Sequence, residues 1–401
     1  MSGRLSFGNV LGWALLVVLL TIYGFAGQYA PYLALLPTIV GVPYLIVVRK
    51  SPMRLNLPSI TLLAAFGLLV LASWLSSQKS DDVLIMVNFI WLPLFIPMDG
   101  LLARLARPSA PIIIGRLALA GVAAALLFAL YQRFVLGMDR AGWLASDPIR
   151  IANTSIILGF LSLVGVLGDT GRRRVIYFAA PVLAVGVAYL AGTRGAIVSA
   201  AVIAVVAAFM LVRRPRIAIA AAVGLAVVGV CALLIAAALH VPRVDTLVAT
   251  IGQLLSGEKV TDTSAQIRLA MQHAGWAAFL ESPWVGHGWQ RIMTATIPHL
   301  PLGQEHLLDG QPHLHNDIAN FGVAGGVVGL VAYVVLLLTP LVAALRSSRD
   351  RLYRARLFGT TVLTVSYATL GLDALMFGYE IHTALFCGLA AIFLGFCREI
   401  A

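Results

Sequence analysis

Charge is what this chain has least of. Only 11% of its 401 residues are Asp, Glu, Lys or Arg, where a soluble domain carries about a quarter. A chain this poor in charge cannot coat a water-facing surface of its size, which excludes a soluble globular protein. Cysteine is nearly absent as well. Cys231, Cys387 and Cys397 are odd in number and all lie in apolar runs, which excludes a disulfide framework and a cysteine metal cluster. Acidic groups are the scarcer sign, 17 against 28 basic, for a net charge of +11. A clear internal repeat and a low-complexity linker are also missing.

What is present is hydrophobicity, 60% of the residues. Apolar runs recur along the whole chain, many of the ~20 residues needed to cross a bilayer. They predict about twelve spans, near 9–27, 30–48, 57–76, 83–103, 110–131, 151–168, 175–192, 195–212, 217–239, 317–340, 357–376 and 380–397. The first run has no convincing signal-peptide cleavage site and a second span follows almost at once, so it reads as a retained helix. The fold class is therefore an all-α polytopic membrane protein.

The basic residues cluster at alternate connections. Arg49, Lys50 and Arg54 form one group, Arg104 and Arg107 a second, Arg172 to Arg174 a third, Arg213, Arg214 and Arg216 a fourth. Arg346, Arg349, Arg351, Arg354 and Arg356 form a fifth, and Arg4 and Arg398 fall on the same side. The positive-inside rule then places both termini in the cytoplasm. Topology and anionic lipid account for the basic stretches, so no nucleic-acid partner is expected.

On this reading residues 1–239 hold nine spans, 240–316 form one large extracytoplasmic loop, and 317–401 hold three spans. A shorter loop on the same side covers 132–150. Inside the long loop, 244–255 and the stretch from Thr263 to Pro283 read as helices. Thr263 and Gln266 fit a capping box, and Ile267, Met271, Ala274 and Ala278 share an apolar face. Arg268 and Gln272 lie one turn apart on a neighbouring face. Asn316 or Asp317 is placed to cap the next helix. Its "GVAGGVVG" holds two small-xxx-small pairs, Gly322/Gly326 and Gly325/Gly329, which let helices approach closely.

Reactive groups gather on the outer side. Past its first residue, His240, the long loop holds six of the eight histidines, His273, His287, His299, His306, His313 and His315. Arg194 lies in "YLAGTRGAIVSA", between two apolar runs joined by almost nothing. A cation at that depth is costly and tends to mark function; the alternative is an arginine snorkelling to headgroups or pairing with a neighbouring acid. Arg268 is either a ligand contact or a solvated helix position. His315 is either chemically active or a helix-start residue bonding backbone. His313 and His315 lack a third metal ligand at characteristic spacing, so no metal is expected. Asp99, Asp373 and Glu380 sit in or beside spans and would be the starting point for a transporter.

Three motifs then resemble a family. "HLHNDIANFGVAGG" is similar to the His-Asn signature with following glycines of the bacterial O-antigen ligase and O-antigen polymerase superfamily. "GTRGA" resembles its Thr/Ser-Arg-Gly motif, and "ESPWVGHGWQ" its Pro-x-x-Gly-x-Gly turn. The order matches too, over roughly residues 150 to 340. The resemblance implies a GT-C-like membrane glycosyltransferase, an O-antigen ligase of the bacterial inner membrane with its active site facing the periplasm. Such an enzyme moves O-antigen glycan from undecaprenyl diphosphate to lipid A–core, with inversion and without metal or cofactor. It further implies His315 as the catalytic base and Arg194 with Arg268 on the diphosphate, Arg291 and Arg243 competing for the second place. His313, Asn316, Asp317 and Gln272 would contact the acceptor or support the site from behind. An O-antigen polymerase shares the motifs. A transporter or flippase would need paired halves and charges deep in several spans.

Overall fold

The computed structural model describes residues 6–47, 55–142, 147–212, 260–301 and 310–399, together with 216, 246, 249–250, 252–253, 255–258 and 308. The expected span over 217–239 and half of the expected helix over 244–255 lie outside the described residues. So do Arg4, Arg49, Lys50, Arg54, Arg213, Arg214, Cys231, Arg243 and His306. Among the described residues no strand occurs. The longer helices are α1 (Phe7–Val17), α2 (Ala30–Val47), α3 (Leu57–Ser76), α4 (Trp91–Ala103), α5 (Ala110–Leu130) and α6 (Pro148–Ser162). They continue with α7 (Ala179–Leu190), α8 (Arg194–Leu211), α9 (Thr263–Glu281), α10 (Asp317–Leu345), α11 (Tyr353–Leu370) and α12 (Glu380–Ala391).

Among the described residues eight helical runs are long and apolar enough to cross a membrane, against about twelve expected along the whole chain. The longest, Phe7–Val47, contains two of the expected spans. If straight, the 37 residue-to-residue steps from Phe7 to Tyr44 would cover roughly 55 Å at 1.5 Å per step. Instead their rings stand 5.9 Å apart. The run is a hairpin, turned at Gly27, whose φ is 54°. The last two expected spans fall short of the length or apolarity needed: α11 begins with Arg354 and Arg356, and the apolar run of α12 stops at Phe396.

Large apolar side chains are exposed all round the bundle, Leu36, Val47, Trp74, Leu127 and Val182 among them. In water so continuous an apolar surface would drive association; against lipid it is the natural outer face. The chain is an all-α polytopic membrane protein. Two helices are buried instead: every residue of α6 from Ile151 to Ser162 and of α12 from Ile381 to Ala391. α6 packs against α5, α7, α8 and α11, and α12 against α4 and α2.

Contacts sort the chain into two ends. At one end Asn56 meets Asp99 at 3.0 Å, Arg116 meets Asp169 at 3.3 Å, and Arg356 meets Asp350 at 2.9 Å. Arg356 is buried and also donates to the carbonyl of Cys397, so this member of the basic cluster is a structural clamp. At the other end Ala141 N–H donates to Leu190, Arg291 donates to the carbonyl of Ser76, and Asp317 N–H donates to Gly371. The starts of both buried helices, Pro148 and Glu380, also lie there.

α10 is broken. Gly326 has φ 58° and ψ −149°, a conformation essentially confined to glycine. The turn 283–288 inserts at the break and supplies the missing partners. His287 and Gly288 N–H donate to Val323 and Ala324 carbonyls, while Val327 and Val328 N–H donate to Pro283 and Trp284. Irregular backbone at membrane depth is tolerated only where protein satisfies it, and here the turn does so. A Cβ on Gly286 would stand 2.5 Å from Ala324 and Gly325 backbone, and one on Gly326 2.4 Å from Trp284 backbone. The expected helix-to-helix role of the Gly322/Gly326 pair is corrected: at Gly326 the close neighbour is the loop turn, because the helix opens there to receive it.

Candidate active site

α7 and α8 are joined by three residues, with Gly192 at φ 66° making the turn. Arg194 is therefore the first residue of α8, so its guanidinium adds to the partial positive charge of a helix start. Its Nη2 lies 3.1 Å from Asp262 Oδ2. Asp262 also caps α9, its Oδ1 accepting from Ala265 N–H at 2.9 Å. This corrects the expected Thr263–Gln266 capping box: the acid stands one residue earlier, and the Gln266 amide donates to the Val260 carbonyl instead. Burial pushes the Asp262 carboxyl up, but the bonds from Ala265 and Arg194 outweigh it and hold it below the usual carboxylate range.

Arg268, on the second turn of α9, points to the same place. Its Nη1 lies 3.2 Å from Asp373 Oδ1. Asp373 sits in the turn between α11 and α12, and a Cβ on Gly195 would come 1.7 Å from its Oδ2. That overlap is why glycine must follow Arg194: the start of α8 is packed directly on the Asp373 carboxylate. Burial raises the Asp373 pKa, with Arg268 and Arg194 opposing it.

His315 has φ 50°, the only positive-φ non-glycine among the described residues. Such a conformation costs on the order of 1–3 kcal/mol and collects at functional sites. Its neighbours hold it. His315 N–H donates to His313 Nδ1 at 3.1 Å, and the two rings meet edge to face at 4.3 Å. Asn316 caps α10 by accepting from Ala319 N–H at 3.0 Å, and its amide donates to Leu372. Asp317 is fully buried and accepts from Met376 and Phe377 N–H. Asn316 and Asp317 thus lash the start of α10 to the turn that carries Asp373.

The ring of His315 is set by Gln311, whose Oε1 lies 3.0 Å from Nε2. An amide oxygen can only accept, so the proton is on Nε2 and Nδ1 holds the lone pair. Nδ1 is buried and has no partner. Burial first, then Arg268, keeps the His315 pKa below 6.5. Burial, His315 and Arg150 push His313 down to about 3. Both imidazoles are neutral at pH 7.

These groups line a cavity of about 280 Å³ that includes Arg140, Arg194, Arg268, Gln311, His315 and Asp373. Gln272 is not among them; it lines an apolar groove with Trp276, Phe279 and Asn316. Arg291 is also elsewhere, in a cavity with Ser76 and His287. Arg140, Gln311 and Asp373 were not singled out for this site from the sequence. Asp373 carried a signal, an acid beside a span; Arg140 and Gln311 carried none, since only folding brings 132–142 and 310–315 to the turn at Arg194. Among the described residues no group of three or more His, Cys, Asp or Glu is placed to hold a metal ion.

Residues 179–334 match the family model described as O-antigen ligase. Over that stretch, about two fifths of the chain, the sequence is similar to that family. That family is one of glycosyltransferase-like membrane enzymes acting on lipid-linked glycans. The O-antigen ligase match contains Arg194, Arg268 and His315 and stops short of Asp373. No curated protein matches the chain.

Proposed function

We propose that the protein is an O-antigen ligase, a GT-C-like inverting glycosyltransferase of the bacterial inner membrane whose site faces the periplasm. The observation that carries this is the convergence of Arg194 and Arg268 with a neutral His315 imidazole on the wall of one cavity. The donor is a glycan on undecaprenyl diphosphate and the acceptor a sugar hydroxyl of lipid A–core. Each arginine spends part of its five-donor fork on a carboxylate. The remaining N–H groups are free to take phosphate oxygens, a match suited to guanidinium geometry.

The chemistry follows from the positions. The acceptor hydroxyl oxygen attacks the anomeric carbon and forms the new glycosidic bond. The bond from that carbon to the phosphate oxygen breaks, and undecaprenyl diphosphate leaves with the electron pair. His315 Nδ1 takes the hydroxyl proton. Arg194 and Arg268 stabilise the charge that grows on the leaving diphosphate. One displacement inverts the anomeric configuration. Asp262 and Asp373 hold the two forks in place, and Gln311 fixes the imidazole tautomer.

The test is transfer by purified protein in EDTA-containing buffer, with lipid-linked O-antigen as donor. Glycan should appear on lipid A–core. Arg194→Lys should recover little of the activity that Arg194→Ala loses, since an ammonium lacks the fork. Extension of a second lipid-linked glycan in place of lipid A–core would make the protein an O-antigen polymerase. Transfer to neither would refute the reading.

A further inference from the structure

A second cavity of about 200 Å³ lies on the other side of His315. It shares Ile149, Gln311 and His315 with the arginine cavity, so the imidazole stands in the wall between them. Its own polar groups are Asp147, Arg150, Asn153, His313, Tyr379 and His382, whose Nε2 lies 3.4 Å from the Thr154 hydroxyl. The family match begins at residue 179 and leaves Asp147, Arg150, Asn153 and Tyr379 unassigned.

The two chambers differ in chemistry. The first has three arginines and one carboxylate on its wall. In the second, one arginine faces one carboxylate, and the arginine is occupied: the Arg150 guanidinium lies 4.8 Å from the centre of the Tyr379 ring. Formal charge there is balanced, which offers a diphosphate nothing. What remains is a mixed set of donors and acceptors. Asp147 Oδ1 accepts from Ile149 N–H at 2.7 Å, leaving Oδ2 as an acceptor. Asn153 is 1% exposed, and its amide is paired only with the thioether of Met376 at 3.3 Å, a weak acceptor that a hydroxyl readily displaces. His313 spends Nδ1 on His315 N–H and so presents Nε2–H. Hydroxyl groups, each donor and acceptor at once, match such a set.

We infer that this second cavity is the acceptor subsite, taking one uncharged sugar ring through Asp147, Asn153 and His313 and presenting its hydroxyl to His315. The inference rests on the glycosyltransferase reading and adds where the acceptor sits. Placement supports it. An inverting displacement needs nucleophile and leaving group on opposite sides of the anomeric carbon, held in near-attack geometry. Two chambers that meet at the base supply those two sides. Part of its wall is the first turns of the two buried helices, α6 and α12, and the rest comes from 311–315 and the turn before α12.

The test is steady-state kinetics of the full-length protein with two acceptors, lipid A–core lacking O-antigen and an undecaprenyl-diphosphate-linked glycan. Asp147→Asn keeps the helix cap, since Asn caps as well as Asp, and removes the charge. Asn153→Ala removes the amide. Each should raise KM for the acceptor that wild type uses by about tenfold, the worth of one hydrogen bond. Donor KM should stay within about twofold, which also reports an intact fold. An active wild type whose variants keep their acceptor KM, or raise donor KM instead, overturns the subsite alone. A wild type that transfers to neither acceptor overturns the functional reading and the subsite with it.

Discussion

At the scale of single residues, the site turns on which nitrogen of His315 is free. Gln311 decides that by accepting from Nε2. His315→Ala should lower turnover by about 10²–10⁴-fold, the usual loss for an acid–base group, while lipid-linked donor still binds. The base works only when neutral, and burial with Arg268 lowers its pKa from 6.5. Wild-type rate should therefore hold through neutrality and fall only as pH drops below the ordinary histidine range. Gln311→Glu tests the positioning role. A carboxylate beside Nε2 favours the imidazolium, so the acid limb of the rate profile should move to higher pH. Gln311→Leu should cut kcat with little change in either KM. A Gln311→Glu profile superimposable on wild type would show that Gln311 only packs.

At the scale of elements, the feature that organises the site is the broken helix α10 with the turn 283–288 seated in it. Two glycines four residues apart separate its causes. Gly326→Ala would put a methyl 2.4 Å from Trp284 backbone at a φ of 58°, whereas a Cβ on Gly322 would make an ordinary 3.5 Å contact with Phe279. Gly326→Ala should lower Tm in detergent by several degrees and reduce transfer; Gly322→Ala should leave both near wild type. Equal effects would mean the helix break is not what the turn relies on. The sequence made the elements themselves legible, because a span is written in its own residues: the runs behind α3 and α5 needed no partner to be read. Arg194 stood out by depth, and His315 and Asn316 by a motif. What escaped depends on distant pairing. The break at Gly326 looked like helix-packing glycine, since its real neighbour lies some forty residues away in the chain. Asp373, Gln311 and Arg140 join the cavity from three separate connections, and no local pattern marks a residue whose partners lie so far off in sequence.

At the scale of the whole molecule, two charge distributions meet at opposite ends of one bundle. One end gathers Arg104, Arg116, Asp169, Asp350 and Arg356, with the clusters at 172–174 and 346–356. The other gathers Arg194, Arg268, His313 and His315. Lysine and arginine near span ends favour the cytoplasmic side, while a long loop crosses largely regardless of its charge. The end bearing the cavity should then be periplasmic, where a lipid-linked donor and a water-borne sugar can meet at headgroup depth. A single cysteine checks this. Cys387 and Cys397 are buried, so replacing Cys231 with serine leaves a quiet background for an impermeant maleimide. Glu258→Cys, in the long loop, should label in intact inner-membrane preparations of right-side-out orientation. Arg172→Cys, in the connection before α7, should label only after the membrane is opened. The reverse pattern would put the arginine cavity in the cytoplasm, away from any periplasmic acceptor, and the proposed reaction could not occur there whatever the chemistry of His315.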